Sequence, residues 1–127
     1  MQQIAKFMHE LISARIAEEK GILERRAMYR ERFFHPDCFW DNRKGTLEMI
    51  ETERIVGTEV SGSKAMVITE YNVPVYNAGG GLDRLRYHLV KTHESWHICF
   101  VEQRCPRCQG KGNECLRCNG KHWLGMP

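Results

Sequence analysis

The sequence predicts an α+β protein, in which a long N-terminal helix packs on an antiparallel sheet and a small cysteine-bearing unit follows. Three observations lead to this prediction. Apolar residues recur at three- and four-residue steps near the N-terminus, they alternate with polar residues farther along, and two Cys-x-x-Cys pairs occur in the last quarter of the chain. We therefore expect an α+β domain over residues 1–103 and a tail over residues 104–127.

The first predicted element is an amphipathic helix over residues 3 to about 30. Charged residues lie between its apolar positions, and Gly21 marks an expected bend, after which the apolar stripe resumes. A helix of this kind is expected to cover a hydrophobic core. The apolar positions before the bend are Ile4, Phe7, Met8, Leu11, Ile12 and Ile16.

An aromatic-rich segment, residues 33–41, comes next. Pro36 disfavours helical backbone at the residue before it and suits the first position of a short new helix. The aromatic side chains of this segment are expected to fill one end of the core. Asp37 and Trp40 are candidate pocket residues within it.

Four strands are predicted after residue 47, because the hydrophobic period changes there from 3.6 to 2. They run from about 47 to 60, from 65 to 71, from 82 to 91 and from 96 to 100, and short connections favour a meander. The third strand should turn Leu85, Tyr87 and Leu89 to one face and Arg84, Arg86 and His88 to the other. The fourth should turn Trp96, Ile98 and Phe100 to one face and His97 and Cys99 to the other.

The basic charge of the chain is concentrated in the tail. Residues 104–127 hold five basic side chains and a single acid, Glu114, whereas residues 1–103 are nearly neutral. No apolar run is long enough to cross a membrane, and the N-terminal residues do not have the pattern of a signal peptide. The sequence therefore predicts a cytoplasmic protein.

Four cysteines in the tail have the spacing of a zinc site. They form two Cys-x-x-Cys pairs, each followed by a glycine at the same distance. Structural zinc is held by four ligands in a tetrahedron, and four thiolates leave no open position for catalysis. The sequence thus predicts one structural zinc ion per chain. The ligands would be Cys105, Cys108, Cys115 and Cys118.

Other uses of these thiols stay open. Four thiolates also suit an iron–sulfur cluster, and a redox dithiol or plain reduced thiols would need no metal. Redox motifs of the thioredoxin type occur as a single pair, which favours a metal here. Cys38 and Cys99 lie among apolar neighbours and are expected to be buried, while His122 is expected to be exposed rather than a ligand.

The body of the chain resembles the nuclear transport factor 2-like superfamily, which includes SnoaL-like and ketosteroid isomerase-like proteins and immunity proteins of bacterial toxin systems. The resemblance covers about residues 3–103 and depends on the order of elements and on the closing strands Arg86–Lys91 and Ser95–Ile98. It implies a curved, cone-like sheet with a cone-shaped pocket between helix and sheet, and often a homodimer formed through the sheet. It does not imply one activity, because members of one fold differ in function.

The tail resembles the Cys-x-x-Cys-x-Gly-x-Gly units of DnaJ-type chaperones. Gly110 and Gly112 complete the first unit, but His122 replaces the last glycine of the second. The chain has no J-domain signature, so the resemblance implies a local zinc-binding structure and not chaperone activity.

Three classes of function follow from these patterns. The favoured one is a non-catalytic, zinc-containing module that binds a protein partner. The second is an isomerase- or cyclase-like enzyme of small molecules, which would need a carboxylate base and an oxyanion donor in one cavity, although no spacing in the sequence connects such a pair. The third is nucleic-acid binding by the basic tail, with Trp123 as a stacking residue. The polar side chains available to the enzyme are Asp37, Asp41, Tyr71, Tyr87, His88 and His97, and Tyr87 is a candidate pocket residue together with Asp37 and Trp40.

Overall fold

The structure, a computed structural model, describes residues 2–19, 32–36, 38, 47–73, 81–104 and 123–125. These ranges contain helices and one five-stranded antiparallel sheet, so the α+β class is confirmed. The helices are α1 (Gln2–Glu19) and α2 (Leu47–Thr52). The strands are β1 (Arg54–Ser61), β2 (Lys64–Val73), β3 (Gly81–Thr92), β4 (Ser95–Arg104) and β5 (Trp123–Gly125).

The sheet is a meander in which each strand pairs with the next one along the chain, in the order β1-β2-β3-β4-β5. Tight turns make this order possible. The β1–β2 turn contains Gly62 at φ 60°, and the β3–β4 turn contains His93 at φ 51° and Glu94 at φ 70°. Positive φ suits glycine far better than residues with a Cβ atom, so the second turn has a conformation that its residues disfavour.

One face of the sheet, which we call the inner face, packs against α1. Alternate residues of β2, β3 and β4 point to this side and are almost fully buried, and they form one cluster with the apolar stripe of the helix. In this layer, every second side chain of the strands packs against helix side chains spaced three and four residues apart, as the sequence predicts. The members of the cluster from these elements are Ile4, Phe7, Met8, Leu11, Ala65, Val67, Tyr71, Leu85, Tyr87, Leu89, Trp96, Ile98 and Val101.

The prediction of a strand from residue 47 is wrong for its first part, because residues 47–52 form α2. Ile50 is buried and Met49 packs against the core, while Glu51 is exposed, so this short segment has a helical rather than an alternating distribution. The hydroxyl of Thr52 donates to the carbonyl of Met49 at 3.2 Å in the last turn. A six-residue segment fits both periods, and packing on α1 decides between them.

The predicted faces of β4 are also wrong after Ile98. The register between β3 and β4 shifts between His88 and Leu89, so Phe100 pairs with His88 on the side away from α1 and is 45% exposed. Val101 takes the buried place instead. The same bulge leaves Cys99 exposed rather than buried, whereas Cys38 is buried as predicted.

The segment around Phe34 adds a parallel bridge to the edge of β4. Phe34 is opposite Ile98, and the backbone N–H of His35 donates to the carbonyl of Ile98 at 2.8 Å. Phe33 and Phe34 are both buried, which agrees with the expected filling of the core by this segment. The predicted continuation of the first helix beyond Glu19 and the bend at Gly21 lie outside the described residues.

In the part of the chain that the structure describes, no helix has the length and apolar character needed to cross a membrane.

Candidate functional site

The four predicted zinc ligands lie outside the described residues, but the chain on both sides of them is described. β4 ends at Arg104 and β5 begins at Trp123, and these two residues are partners in an antiparallel ladder. Neighbouring strands in a sheet are about 5 Å apart. The two described residues that border the segment with Cys105, Cys108, Cys115 and Cys118 therefore lie side by side in the sheet.

The interior holds a polar cluster around the carboxylate of Glu53, directly after α2. Oε1 accepts a hydrogen bond from the Arg15 guanidinium at 2.5 Å, and Oε2 accepts bonds from the hydroxyls of Tyr87 at 2.6 Å and Thr69 at 2.8 Å. Arg15 also donates to the Tyr87 oxygen at 3.0 Å. The side chains of Arg15 and Glu53 are only 6% and 1% exposed, so this is a buried ion pair.

Both oxygens of Glu53 are thus engaged with donors of the protein itself. A carboxylate in this state is a poor general base, because it must give up a bond to Arg15, Thr69 or Tyr87 before it can accept a proton from a substrate. Burial raises the pKa of neighbouring Tyr71 far above its ordinary value, and the charges of Asp83 and Glu53 raise it further. The phenol of Tyr71 therefore stays protonated at neutral pH.

The opposite side of the sheet, which we call the outer face, carries charged rows that cross the strands. Glu70 of β2 accepts hydrogen bonds from Arg54 of β1 at 2.7 Å and from Arg84 of β3 at 3.0 Å. The hydrogen bond from Arg84 is the largest cause of the lowered pKa of Glu70. Desolvation opposes it, but the hydrogen bond from Arg54 and the charges of both arginines keep the pKa below its ordinary value. These cross-strand pairs fix the register of β1, β2 and β3.

A second row joins β3, β4 and β5. The Glu102 carboxylate accepts hydrogen bonds from the Arg86 guanidinium at 2.7 Å and from the Nε2 atom of His88 at 2.5 Å. Burial on its own would raise the pKa of Glu102, but the hydrogen bonds and positive charges of Arg86 and His88 outweigh it and lower the pKa below its ordinary value. The Arg86 guanidinium also lies 4.6 Å from the centre of the Trp123 ring, so it connects β3 with β5 across β4.

Two grooves lie on the surface of the described residues. One, of about 330 Å³, lies between α1, Arg32 and the β3–β4 turn, and Phe7, Lys6 and Trp96 line it. Arg32 is paired with Glu10 in this groove. The other, of about 420 Å³, is on the outer face around the bulge of β4. It is lined by His35, Lys64, His88, Val90, Cys99 and Phe100, among others.

The sequence candidates have different outcomes. Tyr87 is completely buried, so it contributes to the Glu53 cluster rather than to the wall of an open pocket. Asp37, Trp40 and Asp41 lie outside the described residues. The sequence patterns did not predict that Arg15 and Glu53 are partners. They showed only that each of these charged residues lies within an apolar pattern.

Among the described residues, no three His, Cys, Asp or Glu side chains are grouped so that they could hold a metal ion. Comparisons of the chain with protein-family models, with curated proteins and with solved structures found no match in any of the three.

Proposed function

We propose that the protein is a non-catalytic binding module whose C-terminal segment is closed by one structural zinc ion. The observation that carries this proposal is the antiparallel pairing of β4 with β5. Because Arg104 and Trp123 are ladder partners, the two ends of the cysteine-bearing segment are already side by side. Bringing the Cys105–Cys108 pair to the Cys115–Cys118 pair then costs less chain entropy than it would in an open tail.

The chemistry of the donor set supports zinc in this segment. Four thiolates satisfy the tetrahedral preference of the ion, and the sequence puts basic residues between them, which offset the negative charge of a tetrathiolate centre. The ion would supply stability to the segment and no reaction chemistry. Cys105, Cys108, Cys115 and Cys118 would hold it.

The Glu53 cluster supports a non-catalytic role for the body. The described interior offers one carboxylate beside a phenol, and its oxygens are occupied by Arg15, Thr69 and Tyr87. An enzyme of the isomerase class needs such a group exposed to its substrate. The nuclear transport factor 2-like assignment of the body is likewise a proposal, supported by the packing of α1 on the inner face of an antiparallel meander; an experimental structure of the whole chain would test the cone shape.

Metal analysis tests the zinc proposal directly. The purified protein is expected to contain about one zinc ion per chain, and Cys108→Ser or Cys115→Ser should lose the metal. Because Trp123 follows the cysteine segment directly, its fluorescence should change in the same variants, with Trp123→Phe identifying its share of the emission. The variants should also melt at a lower temperature than the original protein.

Cys99→Ser is the matched control, since Cys99 is an exposed cysteine of β4 that is not one of the four predicted ligands. It should keep the zinc content and the melting temperature. A metal-free, monomeric protein with an unchanged melting temperature would contradict the proposal, and so would equal losses in Cys99→Ser and Cys108→Ser.

A further inference from the structure

The outer face has an exposed aromatic side chain beside a groove with basic walls. The bulge in β4 turns Phe100 outward, where it is 45% exposed, and its ring centre lies 5.6 Å from that of His88. Phe100, Lys64, His88 and His35 line the groove of about 420 Å³. A volume of this order suits a small organic group, with which the Phe100 ring can stack and the Lys64 ammonium group can form an ionic contact.

The outer face carries a small excess of basic side chains. Strand alternation puts five basic residues on it, Arg54, Lys64, Arg84, Arg86 and Arg104, against three acids, Glu59, Glu70 and Glu102. Glu70 and Glu102 are each paired with two basic side chains, and Arg104 is paired with Asp83 at 3.4 Å. The remaining excess favours a polyanion over a polycation, and Lys64 lines the groove beside Phe100.

A second aromatic ring lies farther along the same sheet. Trp123 of β5 pairs with Arg104, and the guanidinium of Arg86 lies over its ring. Aromatic rings and arginine planes spaced along a basic sheet are the features that bind single-stranded nucleic acid, because every base can stack and every phosphate can meet a cation. A double helix keeps its bases stacked inside and would not present them to Phe100.

Building on the binding-module function above, we propose that the outer face binds single-stranded nucleic acid. One base stacks on Phe100 in the groove, Lys64 contacts the adjacent phosphate, and the strand continues toward Arg86 and Trp123. This site lies on the described sheet, so it is distinct from binding by the basic residues of the cysteine segment.

Fluorescence anisotropy with a labelled oligothymidylate of about 12 nucleotides tests the proposal on the full-length, metal-analysed protein. Phe100→Ala should raise the Kd about tenfold by removing one stacking partner, and Phe100→Tyr should keep the affinity. Lys64→Gln should weaken binding and reduce the slope of log Kd against log salt by about 0.7. A duplex of the same length should compete poorly.

Two control variants match these changes elsewhere on the protein. Val60→Ala shortens an apolar side chain of similar exposure, 44%, on β1, and Lys6→Gln removes an exposed lysine of α1. Neither should alter binding. Wild-type affinity in Phe100→Ala, equal effects in the controls, equal competition by duplex, or no binding at low salt would each overturn the proposal, and the last result would favour a protein partner.

The zinc proposal and the nucleic-acid proposal fail in different ways. If the purified protein lacks zinc and Phe100→Ala weakens its binding of the oligonucleotide, only the zinc proposal is refuted. The protein could instead contain one zinc ion per chain and lose affinity for the oligonucleotide only in the double variant Arg107→Gln/Lys111→Gln. That result would place nucleic-acid binding in the tail and refute binding by the outer face.

Discussion

The carboxylate of Glu53 stabilises the fold by holding a buried cation and two hydroxyl groups at one point. It connects α1 through Arg15, β2 through Thr69 and β3 through Tyr87. Removing one partner of such a buried pair is much more costly than removing an exposed ion pair, because the remaining charge keeps its desolvation penalty. This cluster explains why polar residues are tolerated in the middle of the apolar layer.

Replacing Tyr87 by Phe should lower the free energy of unfolding by about 2 kcal/mol, since a hydrogen bond to a buried carboxylate is lost while the ring still packs. Urea unfolding measures the change. Tyr71→Phe is the control: Tyr71 is also buried on the inner face, but its hydroxyl is not one of the donors to Glu53, so a loss of under about 1 kcal/mol is expected. Equal losses in both variants would contradict the role of the cluster.

Glu102 should make the stability of the sheet depend on pH. Its pKa in the folded protein is lowered from the ordinary value of 4.5, so its ionised form contributes stability above the pKa of the unfolded state. That contribution is lost as the pH falls through the folded pKa. The urea midpoint of the wild type should therefore fall more between about pH 6 and about pH 3 than that of Glu102→Gln.

Glu59→Gln provides the comparison for this pH series, because Glu59 is an exposed acid of β1 on the same face. It should retain the full pH dependence of the wild type. If Glu102→Gln and Glu59→Gln lose the same part of that dependence, the interaction of Glu102 with Arg86 and His88 is not its source.

The pairing of Arg15 with Glu53 could not be predicted from the sequence. Arg15 and Glu53 are 38 positions apart, and only the packing of α1 on the sheet brings them together. Apolar periodicity reports which side of an element is buried, but it contains no information about which buried charge meets which. The burial of Tyr87 was predictable, since it continues the alternation of Leu85 and Leu89.

At the scale of elements, the length of the pattern decided what could be predicted. β2 and β3 alternate over many residues, and their predicted order and the predicted faces of β3 are confirmed. Segment 47–52 is too short to distinguish the two periods, and a single-residue bulge in β4 reverses the faces after Ile98. Hydrophobic alternation predicts the face of a residue only where the strand pairing is unbroken. A bulge does not change the hydrophobic pattern, so it cannot be recognised from that pattern.

The β3–β4 turn should be easy to stabilise. Glu94 has a φ of 70°, a conformation that costs a residue with a Cβ atom about 1 kcal/mol, so Glu94→Gly should raise the free energy of unfolding by about that amount. Gly62→Ala is the reciprocal change at φ 60° in the β1–β2 turn and should lower it by a similar amount. Thermal melts of both variants test this, and a destabilised Glu94→Gly protein would show that Glu94 has a compensating contact.

At the scale of the whole molecule, the described hydrophobic core is built by α1, the segment around Phe34, and β2, β3 and β4. The members of this buried cluster run from Ile4 to Val101. A chain that ends at Arg104 should therefore still unfold cooperatively, with a lower melting temperature and without zinc. Calorimetry and metal analysis of residues 1–104 would check this, and a non-cooperative melt would contradict it.

The two chain segments along the far edge of β4 also bear on aggregation. Phe34 and His35 cover the edge near Ile98, and β5 covers it from Glu102 to Arg104. Release of β5 would uncover backbone N–H and C=O groups at the end of a long strand, a template on which another chain can add. Chelation of the proposed zinc should therefore produce light scattering that rises with protein concentration. On this account, the short strand β5 limits self-association by keeping the edge of β4 paired.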